Sequence, residues 1–567
     1  MNLNGRVIVD PIDIAEAFND FFTPCIDTNM AKDDIHFSTH VQNYSHSIFM
    51  EPTVSFDIYK YINSLKNTDS TGYDGISTKI IKHVAPLISP VLSYIINLCI
   101  SCGIFPDKLK LTLIKPTFKK NDKQNVQCYR PIALIPIFSK LFERVIYKSL
   151  YNFLESNNVF ADEQMGFRKN KSINSAVYKF IHSIMASLDR KKLVATLFMD
   201  LTKAFDFVHH GTLLKKLESY GVRGNVLKLL ESYLTSRKQC TQISRICPVT
   251  KIETTYSSRY RNVTQGVPQG SVLGPLLFII YINDLPKHIK QNIVLFADDS
   301  TVVFKSNCTL ELQIDMNNTL DIFIKWLKSN NLVINLNKTN LMTFKNRKQY
   351  LTNLDINYNG QKIHEVENAK FLGLHLDSNL SWKTQVENLC SRLNQFSYAL
   401  YMLAKIVDRP AVITAYHGYV ESILRYGVIF WGNSVNKELP FKAQKRCLRA
   451  ICKLKPTDSC RPYFIKMKLM TLPCIYIYEV CTFVKLNIAM YKHPKSKRNE
   501  MKICFPANQT AQFNDSIFCM APRIYNHLPG DILCTTDISS FKNKLKCLLL
   551  DKAYYNITDY LNDKISR

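Results

Sequence analysis

The chain has 567 residues, 46% of them hydrophobic, which is enough for several packed cores and excludes a globally disordered protein. Lysine and arginine number 73 against 46 acidic residues, a net charge of +27. That excess is silent about fold but favours a polyanionic partner, nucleic acid ahead of an anionic membrane.

The 17 cysteines are scattered and mostly sit in apolar runs, where a free thiol behaves as a small hydrophobe. The one close pair, Cys99 and Cys102, lies in Val91–Ile104 without the second pair of a zinc site, so core packing is expected. Met1–Asp20 lacks a long apolar run and carries acids, unlike a secretory leader. No stretch is expected to reach the ~18 apolar residues that span a bilayer. The longest candidate, Val272–Ile282, is broken by Gly274 and Pro275. These features predict a soluble, reduced, intracellular protein with no membrane partner.

In chain order, Ile12–Phe22 is amphipathic, and residues 76–104 read as one or two helices. Leu193–Leu201 is a short apolar run rich in strand formers and bounded by charge, and helical periodicity returns over 210–235. Two short strands, Ile293–Phe296 and Thr301–Phe304, flank Ala297-Asp298-Asp299-Ser300. Residues 354–377 read as further strand with Asn359-Gly360 as a hairpin turn. Beyond 381, Val386, Leu389, Leu393, Phe396, Leu400 and Leu403 form one helical stripe. Polar stretches at Asn67–Gly75, Lys119–Gln127, Lys345–Asn353 and Lys492–Lys502 punctuate the chain. The order is helices, a mixed region with a few strands, then helices: an α/β (α+β) architecture.

Two adjacent aspartates at a tight turn are ordinary by themselves, because aspartate favours turns. Asp200 changes the reading, since it ends a buried strand. A carboxylate there, beside a hairpin bearing two more, is how a divalent-metal site is built: magnesium takes a few carboxylates and substrate phosphates. Two ions ~3.5–4 Å apart serve phosphoryl transfer. Adjacent like charges are unfavourable without cations. A third element, Thr264-Gln265-Gly266-Val267-Pro268-Gln269-Gly270-Ser271-Val272-Leu273-Gly274-Pro275, sets glycines and prolines before an apolar helix, with free N–H groups expected at its start. It is not a Walker loop, as no Gly-Lys-Ser/Thr ends it.

Together these segments resemble the reverse transcriptases of non-LTR retrotransposons, most nearly the jockey-like group. Phe198-Met199-Asp200-Leu201-Thr202-Lys203-Ala204-Phe205-Asp206 is similar to the first carboxylate motif. Gly266 to Phe278 with Tyr281-Ile282-Asn283-Asp284-Leu285-Pro286 is similar to the second, and Phe296-Ala297-Asp298-Asp299 to the signature box. Upstream, Thr71-Gly72-Tyr73-Asp74-Gly75-Ile76, Leu113-Ile114-Lys115-Pro116 through Lys119-Lys120, Tyr129-Arg130-Pro131-Ile132-Ala133-Leu134 and Gln164-Met165-Gly166-Phe167-Arg168 fit the family's opening and fingers motifs. Trp326-Leu327 to Asn335-Leu336-Asn337-Lys338-Thr339, and Phe371-Leu372-Gly373-Leu374, fit later palm motifs. The likeness covers about 60–440 clearly and the rest more weakly.

The resemblance implies an RNA-directed DNA polymerase that uses an RNA template, a DNA primer and deoxynucleoside triphosphates, with two Mg2+ ions for which Mn2+ can substitute. Asp200 and Asp298 would bind both metals and Asp299 would support the site. Phe205 would be the gate rejecting a 2′-hydroxyl. Gln269 would touch the incoming nucleotide, and Gly270 would let the template approach. Lys115 and Arg130 would hold the triphosphate, Lys338 would be the acid for pyrophosphate, and Phe371, Leu372 and Gly373 would grip the primer end. The implied architecture is a right hand. Residues 1–69 would be a linker or pre-polymerase segment, 70–378 fingers and palm, 379–440 a helical thumb, and 441–567 a basic helical extension.

Residues 1–60 are too few for the endonuclease that usually precedes such polymerases. A shortened reading frame, unable to nick its own target, is therefore expected. Phe441–Lys455 carries Lys442, Lys445, Arg446, Arg449, Lys453 and Lys455 interleaved with Leu448, Ile451 and Leu454, a pattern that suits either a nucleic-acid backbone or a solvated face. Cys447, Cys452, Cys460, Cys474 and Cys481 lack knuckle spacing, so no zinc is expected. An RNA-directed RNA polymerase, a group II intron maturase and a decayed copy that only binds nucleic acid are the alternatives; Phe205 speaks against the first. Oligomeric state and the choice between nucleus and cytoplasm stay open.

Overall fold

A computed structural model describes residues 1–3, 6–23, 44–119, 122–247, 249–345, 354–491, 502–506 and 510–563. Lys120 and nearly all of the polar stretches 345–353 and 492–502 lie outside the described residues.

Helix α1 (Pro11–Phe22) starts where the Asp10 side chain accepts from the N–H groups of Ile12 and Asp13, with Pro11 preset for the first turn. α2 (Ser55–Ser64) and α3 (Ala85–Cys102) follow, and Gly103 in the left-handed region (φ +70) stops α3. The hairpin of β1 (Leu111–Phe118) and β2 (Tyr129–Leu134) leads into α4 (Ile137–Ser156) and α5 (Ile173–Asp189). Then come β3 (Leu193–Met199), α6 (His210–Ser219), α7 (Gly224–Leu234), and the strands β4 (Arg237–Ile246), β5 (Glu253–Ser257) and β6 (Arg261–Val263). α8 (Gly274–Tyr281) precedes the hairpin β7 (Asn292–Phe296) and β8 (Asp299–Ser306), α9 (Thr309–Ser329) and β9 (Asn340–Phe344). The short strands β10 (His364–Glu365), β11 (Asn368–Phe371) and β12 (Leu374–Asp377) close this region. Helices follow, including α10 (Lys383–Leu403), α11 (Glu438–Cys452), α12 (Leu472–Leu486), α13 (Ile517–Asn526) and α14 (Ile538–Lys552).

Two five-stranded sheets organise the first two-thirds. The fingers sheet runs β2-β1-β4-β5, with β6 also on β4. The palm sheet runs β10-β9-β3-β8-β7. β3 is central and covered on both faces, which explains its unbroken apolar run. Its side chains alternate between two cores: Leu193, Ala195, Leu197 and Met199 enter one, Val194 the other. The first core joins α2, α4, α6, α7, α8 and α9. The second runs from α5 and the opposite palm face through α10 and α11 to Tyr560. One continuous core therefore serves residues 379–440 and 441–567, which were expected as separate segments.

The first 69 residues are more than a connection. Phe18 and Phe22 of α1 pack with Ile114, Ala133 and Ile135 of the fingers. Asn19, fully buried, donates to Arg259 O (2.9 Å) and accepts from Gln239 Nε2 and Thr241 Oγ1. Ile48, Ile58, Ile62 and Leu65 enter the large core. The Asn359-Gly360 turn forms as expected, both residues having positive φ, between the paired positions Tyr358 and Gln361. One expectation fails. α3 is long and apolar enough to cross a membrane, 18 residues with mean hydropathy 1.7. Leu87, Val91, Tyr94 and Leu98 lie exposed along it, while Ser89, Ser93, Ile96 and Ile100 face the protein.

Candidate active site

Asp298 occupies the two-residue turn between β7 and β8, where Phe296 pairs with Asp299. The turn needs Ala297 at φ +56, a left-handed conformation that costs a non-glycine residue energy. Its support is Gln164, fully buried, whose Oε1 accepts from Gly166 N (2.8 Å) and Ala297 N (3.2 Å). Gln164 also bridges Leu295 as a short parallel strand. A Cβ on Gly166 would sit 2.4 Å from Ala297 N, so only glycine fits there.

Asp200 directly follows β3. Ser300 pairs with Met199, so the next step of the register sets Asp200 beside Asp299. The backbone around Asp200 is held by residues 333–335: Asn335 N donates to Asp200 O (2.8 Å) and Thr202 N to Val333 O (2.8 Å). The same segment delivers Lys338, whose Nζ lies 3.2 Å from Asp200 Oδ2. Burial and then the Asp200 charge hold the Asp298 carboxyl above its ordinary range, while Arg130 and Lys119 pull it down. Burial, then Asp298 and Asp200, push Asp299 up to about 6. Among the described residues no three acidic, histidine or cysteine side chains close a ready cage for a metal. Open carboxylates that still repel one another despite these cations nonetheless suit magnesium, which keeps waters and takes phosphate oxygens.

Arg130 and Lys119 of the fingers lie close enough to act on the Asp298 carboxyl. Thr117 pairs with Arg130 and Lys115 with Ile132, which places Lys115 and Arg130 on one face of the β1–β2 hairpin, both exposed. Phe205 is half-buried, stacked on Phe278 at 4.4 Å, with Phe167 edge-on at 6.5 Å. Gln269 Nε2 donates to Asp206 Oδ1 (2.8 Å). Burial pushes Asp206 up to about 6 against that hydrogen bond and the nearby Lys203. Gly266 N to Val208 O and Val267 N to Phe205 O fasten this loop behind Phe205. Gly270 (φ +119) lies against β2, where a Cβ would come 2.8 Å from Ala133 O. Its close approach is thus to the protein's own fingers.

Two expectations change. The N–H groups at the start of α8 are not free: Val272 N and Leu273 N donate to Glu143 Oε2 (2.6 and 3.2 Å), and Gly274 N donates to Ser271 Oγ. Phe371 is buried against Phe180 (4.5 Å) and Phe198, so of the expected primer grip only Leu372 and Gly373, at a turn with positive φ, can face a strand. Tyr426 holds that turn, its hydroxyl donating to Leu372 O.

Sequence reasoning also missed the residues that carry the scaffold. Glu143 carried no motif signal. Lys216 pairs with Asp284 at 2.6 Å, fully buried, donates to Tyr281 O (2.7 Å), and lies between the rings of Tyr281 and Trp326. Asn283 ties Ala161 N and Val159 O. The polar residues of Tyr281–Pro286 are therefore structural; an Asn-Asp pair at the end of an apolar helix was the available hint.

Carboxylates on a palm sheet beneath a cationic fingers hairpin, with helices beyond, form the right-hand arrangement of a nucleic-acid polymerase. Residues 118–376 match the family described as reverse transcriptase (RNA-dependent DNA polymerase). It is 28% identical over 443 residues to the probable RNA-directed DNA polymerase from transposon BS of Drosophila melanogaster, covering 74% of this chain and 46% of the relative. Similar are the probable RNA-directed DNA polymerase from transposon X-element of the same species (27%; 66% and 41%) and the RNA-directed DNA polymerase from mobile element jockey of Drosophila funebris (28%; 60% and 37%). The chain thus spans less than half the length of these relatives.

Proposed function

We propose that this chain is an RNA-directed DNA polymerase that extends a DNA primer on an RNA template for the movement of a non-LTR mobile element. The observation that carries the reading is the juxtaposition of Asp200, Asp298 and Asp299, whose mutual repulsion the protein's own Lys338, Arg130 and Lys119 offset only in part. Asp200 and Asp298 would hold two Mg2+, or Mn2+, with Asp299 beside them; bound metals would activate the primer 3′-oxygen and stabilise the leaving pyrophosphate. In that reaction the 3′-oxygen bonds to the α-phosphorus, the bond to the bridging oxygen breaks, and the hydroxyl proton is lost. Lys115 and Arg130 grip the triphosphate, and Lys338, beside Asp200, is placed to protonate the pyrophosphate. Phe205, backed by Phe278, fills the space a 2′-hydroxyl would need. These partners imply an intracellular site of action.

The test is primer extension on an RNA template with magnesium and deoxynucleotides. Asp298→Ala should lower the rate by roughly three orders of magnitude, the loss of several kcal/mol of charge stabilisation. Phe205→Ala should extend with ribonucleotides at a rate the parent lacks. A folded parent that binds primer–template but makes no DNA would instead support the binding-only reading.

A further inference from the structure

A second cationic surface lies away from the palm. α10 and α11 run side by side: Cys447 Sγ reaches Leu393 O (3.5 Å) and Arg446 donates to Asn394 Oδ1 (3.2 Å). Toward the far end of α10 they open a groove of roughly 720 Å³. Tyr401, Lys405, Arg446, Arg449, Lys453 and Leu454 form most of its wall, and the wall contains no carboxylate. Arg446 and Arg449 donate to uncharged acceptors, Asn394 Oδ1 and the Asp458 carbonyl oxygen. Lys405 lies over the Tyr401 ring at 4.2 Å. Lys405, Arg446 and Lys453 are exposed, as is Tyr401 at 42%.

Four cations facing one concave surface without an acid repel one another, a cost that a polyanion would reverse. Their layout fits an extended anion better than a single phosphate. Arg446 and Arg449 lie one turn apart on α11 and Lys453 caps its end, so the cations are spread over about 10 Å, wider than a single phosphate. The exposed ring of Tyr401 adds a surface on which a base can stack, a contact indifferent to sequence. Along α10, Tyr401 lies about five turns, ~27 Å, beyond Lys383, where the helix begins.

We propose that this groove binds the sugar–phosphate backbone of a single nucleic-acid strand outside the catalytic cleft. It tethers template or displaced strand while the palm works on the primer end. The contribution is mostly electrostatic and therefore dependent on salt.

Binding is measured on the full chain without nucleotides, also in an Asp298→Ala background, so the result is independent of polymerase activity. The probes are unstructured labelled RNA and DNA strands of about 20 nucleotides, read by fluorescence anisotropy over a potassium chloride series. The variant combines Lys405→Gln, Arg446→Gln and Lys453→Gln; it leaves Arg449 and its bond to Asp458 O in place. The expected result is at least a tenfold loss of affinity near 100 mM salt. The slope of log K against log salt should fall by about 2, three contacts at ~0.7 each. Tyr401→Ala should weaken binding a few-fold with the slope unchanged. Which probe binds the parent more tightly identifies the strand. In active protein, kcat and KM on a short primer–template should stay at parent values. Unchanged affinity and slope would overturn the proposal. So would a raised KM on the short duplex matching the loss on single strands, since that would put the groove inside the catalytic cleft.

Discussion

Two sets of acidic residues lie within the fingers-and-palm region, and they are treated in opposite ways. Around α8, Asp284 is neutralised by buried Lys216, and Glu143 is satisfied by two backbone N–H groups and Ser139. At the palm turn, Asp298 and Asp299 face Asp200 with their carboxyls raised by burial and mutual repulsion. The first set finds its charge or hydrogen-bond partners inside the fold; in the second only Asp200 has an ion-pair partner, the exposed Lys338, and Asp298 and Asp299 stay raised beside it. Motif membership alone does not separate them, because Asp284 and Asp298 both belong to motifs that resemble the family's. The partner of each carboxylate does.

The largest effect should come from breaking the complete set. Lys216→Met strands Asp284 at 5% side-chain exposure. Removing one partner of such a pair costs about 3–5 kcal/mol, measured as a fall in denaturant midpoint. A variant within about 1 kcal/mol of the parent would erase the contrast. Next is Asp206, which shares features of both sets. Its carboxyl is raised to about 6 from an ordinary value near 4, so the native state binds a proton the unfolded chain has released. Its contribution is therefore present below about pH 4 and lost as pH rises to about 6, by up to ~3 kcal/mol. Asp206→Asn keeps the bond from Gln269 and should remove that part of the pH dependence; identical parent and variant slopes between pH 4 and 6 would show Asp206 is not buried as described. The smallest effect is expected at Lys338. It pairs with Asp200 much as Lys216 pairs with Asp284, but at 59% exposure. Lys338→Met should change stability by less than about 1 kcal/mol while slowing primer extension. A large destabilisation would make Lys338 scaffold rather than machinery.

The acidic hairpin turn was legible because its signals are local. An apolar strand that ends in Asp200 and a tight hairpin bearing Asp298 need only period-2 patterning and turn chemistry to be recognised. The α10 stripe was legible for the same reason, with Val386, Leu389, Leu393 and Leu400 all buried. Residues that act through distant partners left no such trace. Gln164 supports Ala297 from 133 positions away, and Glu143 meets Val272 across 129. Phe371 reads like a surface aromatic in its motif, yet Phe180 and Phe198 enclose it, a fact of tertiary packing. α3 was misjudged because its serines and asparagine interrupt the apolar run on the face that packs inward, leaving the helix as a whole more apolar than it reads.

The seat of α1 on the fingers sets a schedule for making the protein. Asn19 meets Arg259 and Thr241 across 240 and 222 positions of chain. At ~5–20 residues per second of synthesis, Phe18 and Phe22 wait on the order of tens of seconds before the strands they cover exist. During that interval α1 has an apolar face and no completed sheet to rest it on. The fingers are therefore a unit that the growing chain opens with α1 and finishes only once Arg259 has been made.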